Sequence, residues 1–254
     1  MLSPNLASRL ADSFAYLDFT LPTVEENLAL DEALLLAAEE SGGGPVLRVW
    51  ESPVTTVVLG ASSRFNEDVE VEACLADEVG IARRSSGGGT VVIGPGALNM
   101  TVVLPNDAAP GLEAVDTAQA FVLERVAASI REAGLAVQVQ GSGDLTLDGR
   151  KFAGSAQRRL RCYFLVHASL LYDFPLERVV RYTRPPRRQP AYRAGRTHLD
   201  FLTNLPLRRE RLLQAIRDAW LTAGESERFT VLPTELVKEL VATKFGDPNW
   251  VTRL

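Results

Sequence analysis

The stretch SGDLTLDGRKFAGSAQRR, residues 142–159, determines how the rest of the chain is interpreted. Its DG dipeptide at positions 148–149 is favoured in two-residue type I′ turns, so the flanking residues are predicted to form a β-hairpin. In that register Thr146 lies opposite Lys151, and Asp144 lies opposite Ala153. We therefore expect Lys151 and Asp144 to be diagonal neighbours, roughly 7–8 Å apart at the backbone and within reach of each other's side chains.

Side chains alternate between the two faces of a strand, which divides this hairpin into a polar and an apolar face. The polar face is predicted to carry Asp144, Thr146, Lys151, Ala153, Ser155 and Gln157. The apolar face, which is predicted to join the core, carries Leu145, Leu147, Phe152 and Ala156. An amine on a rigid strand among small residues can bind a phosphate or a carboxylate. A solvated lysine paired loosely with an aspartate is the alternative.

A second stretch, RRSSGGGTVVIGPGALN at residues 83–99, combines two arginines with three consecutive glycines. Ordering glycine is entropically costly, so the triplet favours a close approach of backbone N–H groups to an anion. No lysine follows the glycines, which excludes a P-loop, and the spacing also fails to match G-x-G-x-x-G. Arginine forks beside glycine amides indicate a carboxylate or phosphate ligand. A tight turn with surface arginines is the other interpretation of this stretch.

The composition limits the classes of function. The chain has 254 residues, of which 46% are hydrophobic and 23% charged, as in ordinary globular proteins. A formal net charge of −5 disfavours a nucleic-acid partner. Two cysteines, Cys74 and Cys162, are too few for a disulfide framework, and no zinc-ligand spacing is present. There is no signal-peptide pattern or long apolar span, so we expect no membrane association and a cytoplasmic protein.

Hydrophobic periodicity and turn residues outline the remaining elements. They predict helices over residues 24–40, 69–80 and 115–132 and a hairpin over residues 90–105. Thr23 and Glu26 match a capping box for the first helix, which three glycines should end. Helices around a hairpin-rich middle predict an α+β fold with mixed, largely antiparallel sheets.

The two stretches RRSSGGGTVVIGPGALN and GDLTLDGRKFAGSAQRR together resemble the paired signatures of the biotin/lipoate A/B protein ligase family, in particular lipoate–protein ligase A-like proteins. Three further segments match family landmarks in the same order, namely ENLALDEALL, HASLLYDF and YRAGRTHLDFL. The resemblance covers nearly the whole chain, and both signatures in order are highly specific. It implies a fold similar to the catalytic domains of class II aminoacyl-tRNA synthetases and biotin protein ligases.

The resemblance implies a lipoate–protein ligase, in which ATP, Mg²⁺ and lipoate or octanoate give an acyl-adenylate. A lysine of a lipoyl-acceptor protein then takes the acyl group, and the expected acceptors are a 2-oxoacid dehydrogenase E2 lipoyl domain and the glycine-cleavage H protein. Carried over by position, Lys151 is the catalytic lysine and Asp144 lies near the Mg²⁺ and the phosphates. The residues expected to bind substrate or adenylate are Arg83, Arg84, Ser86, Gly87, Gly88, Gly89, Thr90, Asn99, Asp144, Gly154, Ser155, Ala156 and His167.

The sequence departs from the family pattern at three positions. Ile93 replaces a usual histidine, Gly143 an asparagine that could supply a metal ligand, and Ala61 an arginine. We expect residues 1–254 to form a single catalytic domain without the C-terminal accessory domain of many ligases. A separate accessory subunit and a different acyl transfer both remain open.

Other functions of the same fold remain as alternatives. An octanoyltransferase would need a cysteine nucleophile in the loop before Lys151, and residues 136–143 contain none. A biotin ligase is a weaker alternative. A degenerate, non-catalytic lipoyl-domain-binding homologue would explain the three departures, but it would not explain why Lys151 and the glycine loop are retained.

The remaining candidates lie in HASLLYDF and in the basic stretch at residues 181–196. His167 is interpreted either as a core histidine or as a neighbour of the acyl pocket. Residues 187–196 are predicted to face an acidic acceptor domain, which a basic loop would attract. His198 follows this loop, which in the family lies near the adenylate or the acceptor.

Overall fold

In the computed structural model, which describes residues 14–187, 189–221 and 232–254, the strands form two sheets with helices packed around them. The strands are β1 (Ala15–Asp18), β2 (Val46–Glu51), β3 (Thr56–Leu59), β4 (Gly80–Arg83), β5 (Val91–Ile93), β6 (Ala97–Pro105), β7 (Gln138–Gln140), β8 (Asp144–Leu147), β9 (Arg150–Arg159) and β10 (Tyr163–Leu171). The helices are α1 (Val24–Ser41), α2 (Phe65–Asp68), α3 (Val71–Ala76), α4 (Val115–Glu132), α5 (Glu177–Tyr182), α6 (His198–Phe201), α7 (Arg209–Trp220), α8 (Thr234–Leu240) and α9 (Pro248–Thr252). A 3₁₀ turn spans Ala191–Arg193, and a π-helical turn spans Val241–Phe245.

The larger sheet has the order β1-β2-β6-β10-β9-β8-β7, and its pairs are antiparallel except for β1 with β2. Because side chains alternate along each strand, the sheet separates two cores. Met100 and Ala168 lie in the core formed with α4 and α7. Trp50 and Leu165 lie in the core on the other side, which is formed with α1 and α8.

Helix α1 forms where the sequence predicts it. Thr23 and Glu26 make both bonds of the capping box, and Gly42 ends the helix in the left-handed conformation at φ 65°. Such a conformation favours glycine because it has no Cβ. The helix predicted over residues 115–132 is confirmed at the same bounds.

Two predicted elements are wrong. The helix expected over residues 69–80 ends at Ala76, because Gly80 begins β4 and pairs with Thr56 of β3. The hairpin expected over residues 90–105 does not form, since β5 pairs with β3 in the small sheet whereas β6 pairs with β2 and β10 in the large one. Gly96 makes this change of sheet possible, because a Cβ at its φ of +91° would lie 2.3 Å from the Asp173 carbonyl oxygen.

The small sheet has the order β4-β3-β5 and carries a third apolar cluster with α3 and α5. Together the two mixed, largely antiparallel sheets and their flanking helices confirm the α+β fold. Among the described residues no helix is both long and apolar enough to cross a bilayer.

Candidate active site

A cavity of about 470 Å³ lies between β9 and β10 of the large sheet and the glycine-rich segment before β5. A further wall is contributed by Pro186, Gln189, Pro190, Arg193, His198, Phe201 and Leu202. The apolar lining of the cavity includes Leu28, Trp50, Val58, Val91, Ile93, Leu171, Val179 and Phe201. An apolar cavity with a few convergent polar groups is typical of a small-molecule site.

Lys151 and Asp144 meet at the polar end of this cavity. The Lys151 Nζ lies 2.6 Å from Asp144 Oδ1, so the sequence-based prediction of their proximity is confirmed. Asp144 Oδ2 accepts a hydrogen bond of 2.6 Å from the Tyr192 hydroxyl. Burial and this bond to Asp144 raise the pKa of Tyr192, which keeps the hydroxyl protonated and donating. The aspartate therefore holds the ammonium in place with a second donor on its other oxygen.

A β-bulge changes the predicted faces of β9. The type I′ turn forms, with positive φ at Asp148 and Gly149, and Thr146 pairs with Lys151. The next pair, however, skips Phe152, so Asp144 pairs with Gly154 rather than with Ala153. The faces beyond the bulge are consequently reversed from those predicted.

Ser155 and Ala156 show the effect of this reversal. Ala156 pairs with His167, a cavity-lining residue, and not with the core face as predicted. The Ser155 hydroxyl instead turns towards α4, where it accepts from Gln119 at 2.7 Å and donates to the Gly143 carbonyl at 2.8 Å. Its side chain is therefore structural, although residue 155 contributes to the cavity lining.

Two glycines leave room for these contacts. A Cβ on Gly154 would lie 2.7 Å from the Lys151 Nζ, so the bare backbone allows the ammonium to lie across β9. A Cβ on Gly143 would lie 2.1 Å from the Gln119 amide nitrogen. Any side chain at position 143 would therefore require the Gln119 side chain to move from its contact with Ser155.

Arg84 braces the glycine-rich loop, Ser86–Gly89. Its Nη2 donates to the carbonyls of Gly87 and Gly89 at 2.6 and 2.8 Å, and its Nε donates to Ser86 Oγ at 3.0 Å. No carboxylate pairs with it among the described residues, and burial lowers its pKa to about 10. The guanidinium lines the cavity, but its described hydrogen bonds shape the loop.

Arg83, Ser86 and Gly87 do not line the cavity, in contrast to the prediction for the whole loop. Alternation along β4 turns the Arg83 side chain to the opposite side, where it donates to the backbone of Gly60 and of Val251 in α9. Gly88, Gly89 and Thr90 do line the cavity. The loop therefore presents its second half to a ligand.

A buried polar chain connects α1 to this loop. Arg48 donates to Asp31 at 2.5 Å, Asp31 lies 3.6 Å from His167 Nδ1, and His167 Nε2 lies 2.5 Å from Ser86 Oγ. Burial and the charge of Arg84 lower the pKa of His167, against the opposing effect of Asp31. Burial would raise the pKa of Asp31, but Arg48 and His167 outweigh it and lower that pKa.

Asp31 and Arg48 were not predicted from the sequence. Their signal is a charged residue within an apolar helix and another within an apolar strand, since lone buried charges require partners. His167 is both a buried histidine and a cavity-lining residue, so the two interpretations of it are compatible.

Two buried donors at the cavity have no hydrogen-bond partner among the residues that the structure describes. They are the Nδ2 of Asn99 and the indole Nε1 of Trp50, although Asn99 Oδ1 accepts from Ser169 at 2.7 Å. Buried donors are nearly always satisfied in proteins, so these two are available to a bound ligand. Asn99 was predicted to bind the ligand, whereas Trp50 was not.

The segment at residues 186–202 is tied to the protein. Arg193 is buried, and Arg196 donates to the carbonyls of Gly149 and Tyr192 at 3.0 and 2.7 Å. Arg187 lies 2.9 Å from Glu67. These arginines are engaged within the chain, and Arg188 lies outside the described residues. Arg193 and Arg196 are therefore held by contacts within the chain, and the orientation of residues 187–196 towards an acceptor domain stays a prediction.

Asp144 was predicted to lie near Mg²⁺. Both of its oxygens contact Lys151 and Tyr192, and no group of three or more His, Cys, Asp or Glu side chains that could hold a metal ion occurs in the part of the chain that the structure describes. Mg²⁺ is usually bound through one or two carboxylates together with substrate phosphates, so such a group is not required. Asp144 as a magnesium ligand therefore stays a prediction.

The Lys151 ammonium, the second half of the glycine-rich loop and an apolar lining face one cavity on a mixed sheet, and such a cavity suits a small anionic compound with an apolar part. The chain belongs to the lipoyl protein ligase A/B catalytic domain family, whose model matches residues 23–219.

Individual relatives agree with this assignment. A protein named as a lipoate-protein ligase A in Aeropyrum pernix is 28% identical over 89% of this chain and 78% of its own length. An octanoyl-[GcvH]:protein N-octanoyltransferase of Anoxybacillus flavithermus is 33% identical over 54% of this chain. The chain spans only 52% of the length of that transferase.

Solved structures share the fold. The bi-partite lipoate protein ligase of Thermoplasma acidophilum, studied with its E2 lipoyl domain, superposes with a TM-score of 0.80 at 20% identity, over 96% of both chains. A lipoate-protein ligase A bound with ATP gives a TM-score of 0.77 at 21% identity, over 94% of this chain and 98% of the other.

Proposed function

We propose that the protein is a lipoate–protein ligase that activates lipoate or octanoate with ATP and transfers the acyl group to a lysine of a lipoyl-acceptor protein. The observation that carries this proposal is the position of the Lys151 ammonium and of the Gly88–Thr90 backbone on the same cavity. The apolar lining suits the acyl chain and its ring, and the polar end suits a carboxylate and a phosphate.

In the first step a carboxylate oxygen attacks the α-phosphorus of ATP, and the bond to the β-phosphate oxygen breaks so that pyrophosphate leaves. Negative charge grows on the oxygens around phosphorus. The Lys151 ammonium, fixed by Asp144, is preorganised to stabilise that charge. We propose that ATP binds together with Mg²⁺. The step described does not require a protein ligand for the metal ion.

Replacing Lys151 should remove this stabilisation. We expect Lys151→Ala to slow lipoate-dependent pyrophosphate release about 100- to 1,000-fold, as for loss of a preorganised charge donor. The matched control is Lys238→Ala, because Lys238 is exposed on α8 and pairs with Glu235. Equal pyrophosphate release by Lys151→Ala and the control would contradict the proposal.

An octanoyltransferase is the second candidate, because the Anoxybacillus relative carries that name. A thiol-based transfer would need a cysteine at the cavity. The sequence has two cysteines, and neither Cys74 nor Cys162 is among the lining residues. Burial raises the pKa of Cys74, which makes it a poor nucleophile. Thioester exchange without ATP would favour the transferase.

The proposed acceptors are a 2-oxoacid dehydrogenase E2 lipoyl domain and the glycine-cleavage H protein, and the proposed location is the cytoplasm. The names of the Thermoplasma and Anoxybacillus proteins support these acceptors. An accessory subunit is a further proposed partner. Measuring acyl transfer by the full chain alone to each acceptor tests the two acceptors and the need for an accessory subunit, and fractionation of cells tests the location.

A further inference from the structure

Transfer to an acceptor lysine requires a base, and this requirement rests on the proposed function. A lysine amine has an ordinary pKa of about 10.4, so it arrives as an ammonium and cannot attack until it loses a proton. The titratable side chains that line the cavity are Asp31, Arg84, Asp144, Lys151, His167, Arg193 and His198.

Most of these groups are already engaged. Asp31 pairs with Arg48, and Asp144 uses both oxygens on Lys151 and Tyr192. His167 Nε2 lies 2.5 Å from Ser86 Oγ, whereas its other nitrogen faces Asp31.

His198 differs from these groups. Its Nε2 is buried and has no hydrogen-bond partner among the described residues. The backbone of Arg184 acts on the ring as a hydrogen-bond acceptor and raises the pKa of His198. Because Nε2 has no partner, this backbone favours a proton on Nδ1 and a lone pair on Nε2.

The surrounding charges keep this imidazole neutral. Burial lowers the pKa of His198, and the cations Arg193 and Lys151 lower it further, which outweighs the hydrogen bond to Arg184. At neutral pH the ring is therefore a base with a free lone pair on the same cavity as the catalytic lysine.

The position of His198 is fixed relative to Lys151. The Thr203 N–H donates to the Lys151 carbonyl at 2.9 Å, and Arg150 donates to the Leu199 carbonyl at 2.9 Å. Thr197 caps α6 by accepting from the Asp200 N–H at 3.2 Å. The short helix that begins with His198 is thus attached to β9 by these hydrogen bonds.

We propose that His198 Nε2 is the general base that accepts the proton of the acceptor ammonium. The freed amine attacks the acyl carbon, the C–N bond forms, and the bond from that carbon to the phosphate oxygen breaks with its electron pair on AMP. The second proton of the attacking nitrogen leaves with the released phosphate. His198 thereby acts in the transfer step and not in adenylate formation.

The test compares two nucleophiles on the preformed acyl-adenylate complex of the full chain. One is an unmodified E2 lipoyl domain, and the other is hydroxylamine, which is largely uncharged at pH 7 and needs no base. We expect His198→Gln to slow transfer to the lipoyl domain about 100-fold, as for loss of a general base, with less than a threefold loss towards hydroxylamine. Leu199→Ala, at an exposed neighbouring position, is the control and should slow neither.

Equal losses with both nucleophiles would show that His198 only positions the adenylate, and no loss with either would also overturn the proposal. If wild-type protein forms no adenylate, the proposed function fails instead. A second measurement uses unaltered protein, because the chain contains only two histidines. Nitrogen NMR of ¹⁵N-histidine-labelled protein should show His198 neutral at pH 7 with Nε2 unprotonated, and a protonated Nε2 would contradict the assignment.

Discussion

At the scale of single residues, the site depends on places where a side chain is missing. Gly154 lets the Lys151 ammonium lie 2.6 Å from Asp144 Oδ1, because nothing projects from β9 at that point. The backbone of Gly154 does not require a left-handed conformation. Glycine is therefore needed at position 154 because it leaves space for the Lys151 side chain, and not because the main chain requires a conformation that only glycine adopts.

Gly154→Ala tests this role. Its Cβ would lie 2.7 Å from Lys151 Nζ, which is the mobile end of a long side chain. We expect the lysine to move, with at least a tenfold loss in the rate of pyrophosphate release and only about 1 kcal/mol of lost stability. Gly80→Ala is the matched strand control, since its Cβ would meet Thr56 at an ordinary 3.8 Å. Full activity in Gly154→Ala would contradict this account.

At the scale of elements, the guanidinium of Arg84 holds the glycine-rich loop in place through hydrogen bonds. Arg84 connects three loop residues, and Ser86 continues the contact to His167 on β10. Because the acceptors are neutral, two backbone carbonyls and the Ser86 hydroxyl, the planar fork matters more than the charge.

We therefore expect Arg84→Lys to behave as a loss of function despite its conserved charge. It should raise the KM for lipoate and lower the free energy of unfolding by about 1–3 kcal/mol, because buried carbonyls lose their donors. Arg64→Lys, at an exposed pair with Glu67, should change neither quantity. Wild-type KM and urea midpoint in Arg84→Lys would show that charge alone suffices.

At the scale of the whole molecule, segments distant in sequence meet around the site. The Arg83 guanidinium donates a hydrogen bond to the Val251 carbonyl of α9. In return, the Trp250 indole N–H donates to the Arg83 carbonyl at 2.9 Å. Glu32 of α1 forms a salt bridge with Lys244 at 2.8 Å and a second one with Arg158 of β9. Stability of the fold and placement of the loop are therefore coupled.

The two buried histidines predict a pH dependence of stability. Burial lowers the pKa of His167 and His198 in the folded state, so between those values and about 6.5 the unfolded chain binds more protons than the folded one. Stability should fall as pH drops below about 6.5, by at most about 1.4 kcal/mol per pH unit for each histidine. Urea unfolding at pH 7.5 and 5.5 measures this, and His167→Gln should show a smaller decrease than wild type. An identical decrease in both proteins would contradict a buried neutral His167.

Local sequence patterns predicted the α1 cap, the type I′ turn and the Lys151–Asp144 contact, because each depends on residues close in the chain. They could not predict the sheet to which β5 belongs, because that depends on pairing with β3. The hydrogen-bond partners of Arg84 could not be predicted either, because every residue has a main-chain carbonyl and the sequence does not indicate which of them Arg84 contacts. The bulge at Phe152 had no local signal either.

That bulge decides on which side of the large sheet the amine emerges. Lys151 and Gly154 are separated by an odd number of positions, so a regular strand would send them to opposite sides. Skipping Phe152 in the ladder cancels the difference. A strand that lost this irregularity without losing a residue would direct its ammonium towards α4, on the side of the large sheet opposite the cavity. The residue skipped in the ladder, Phe152, thus determines whether the Lys151 ammonium faces the cavity.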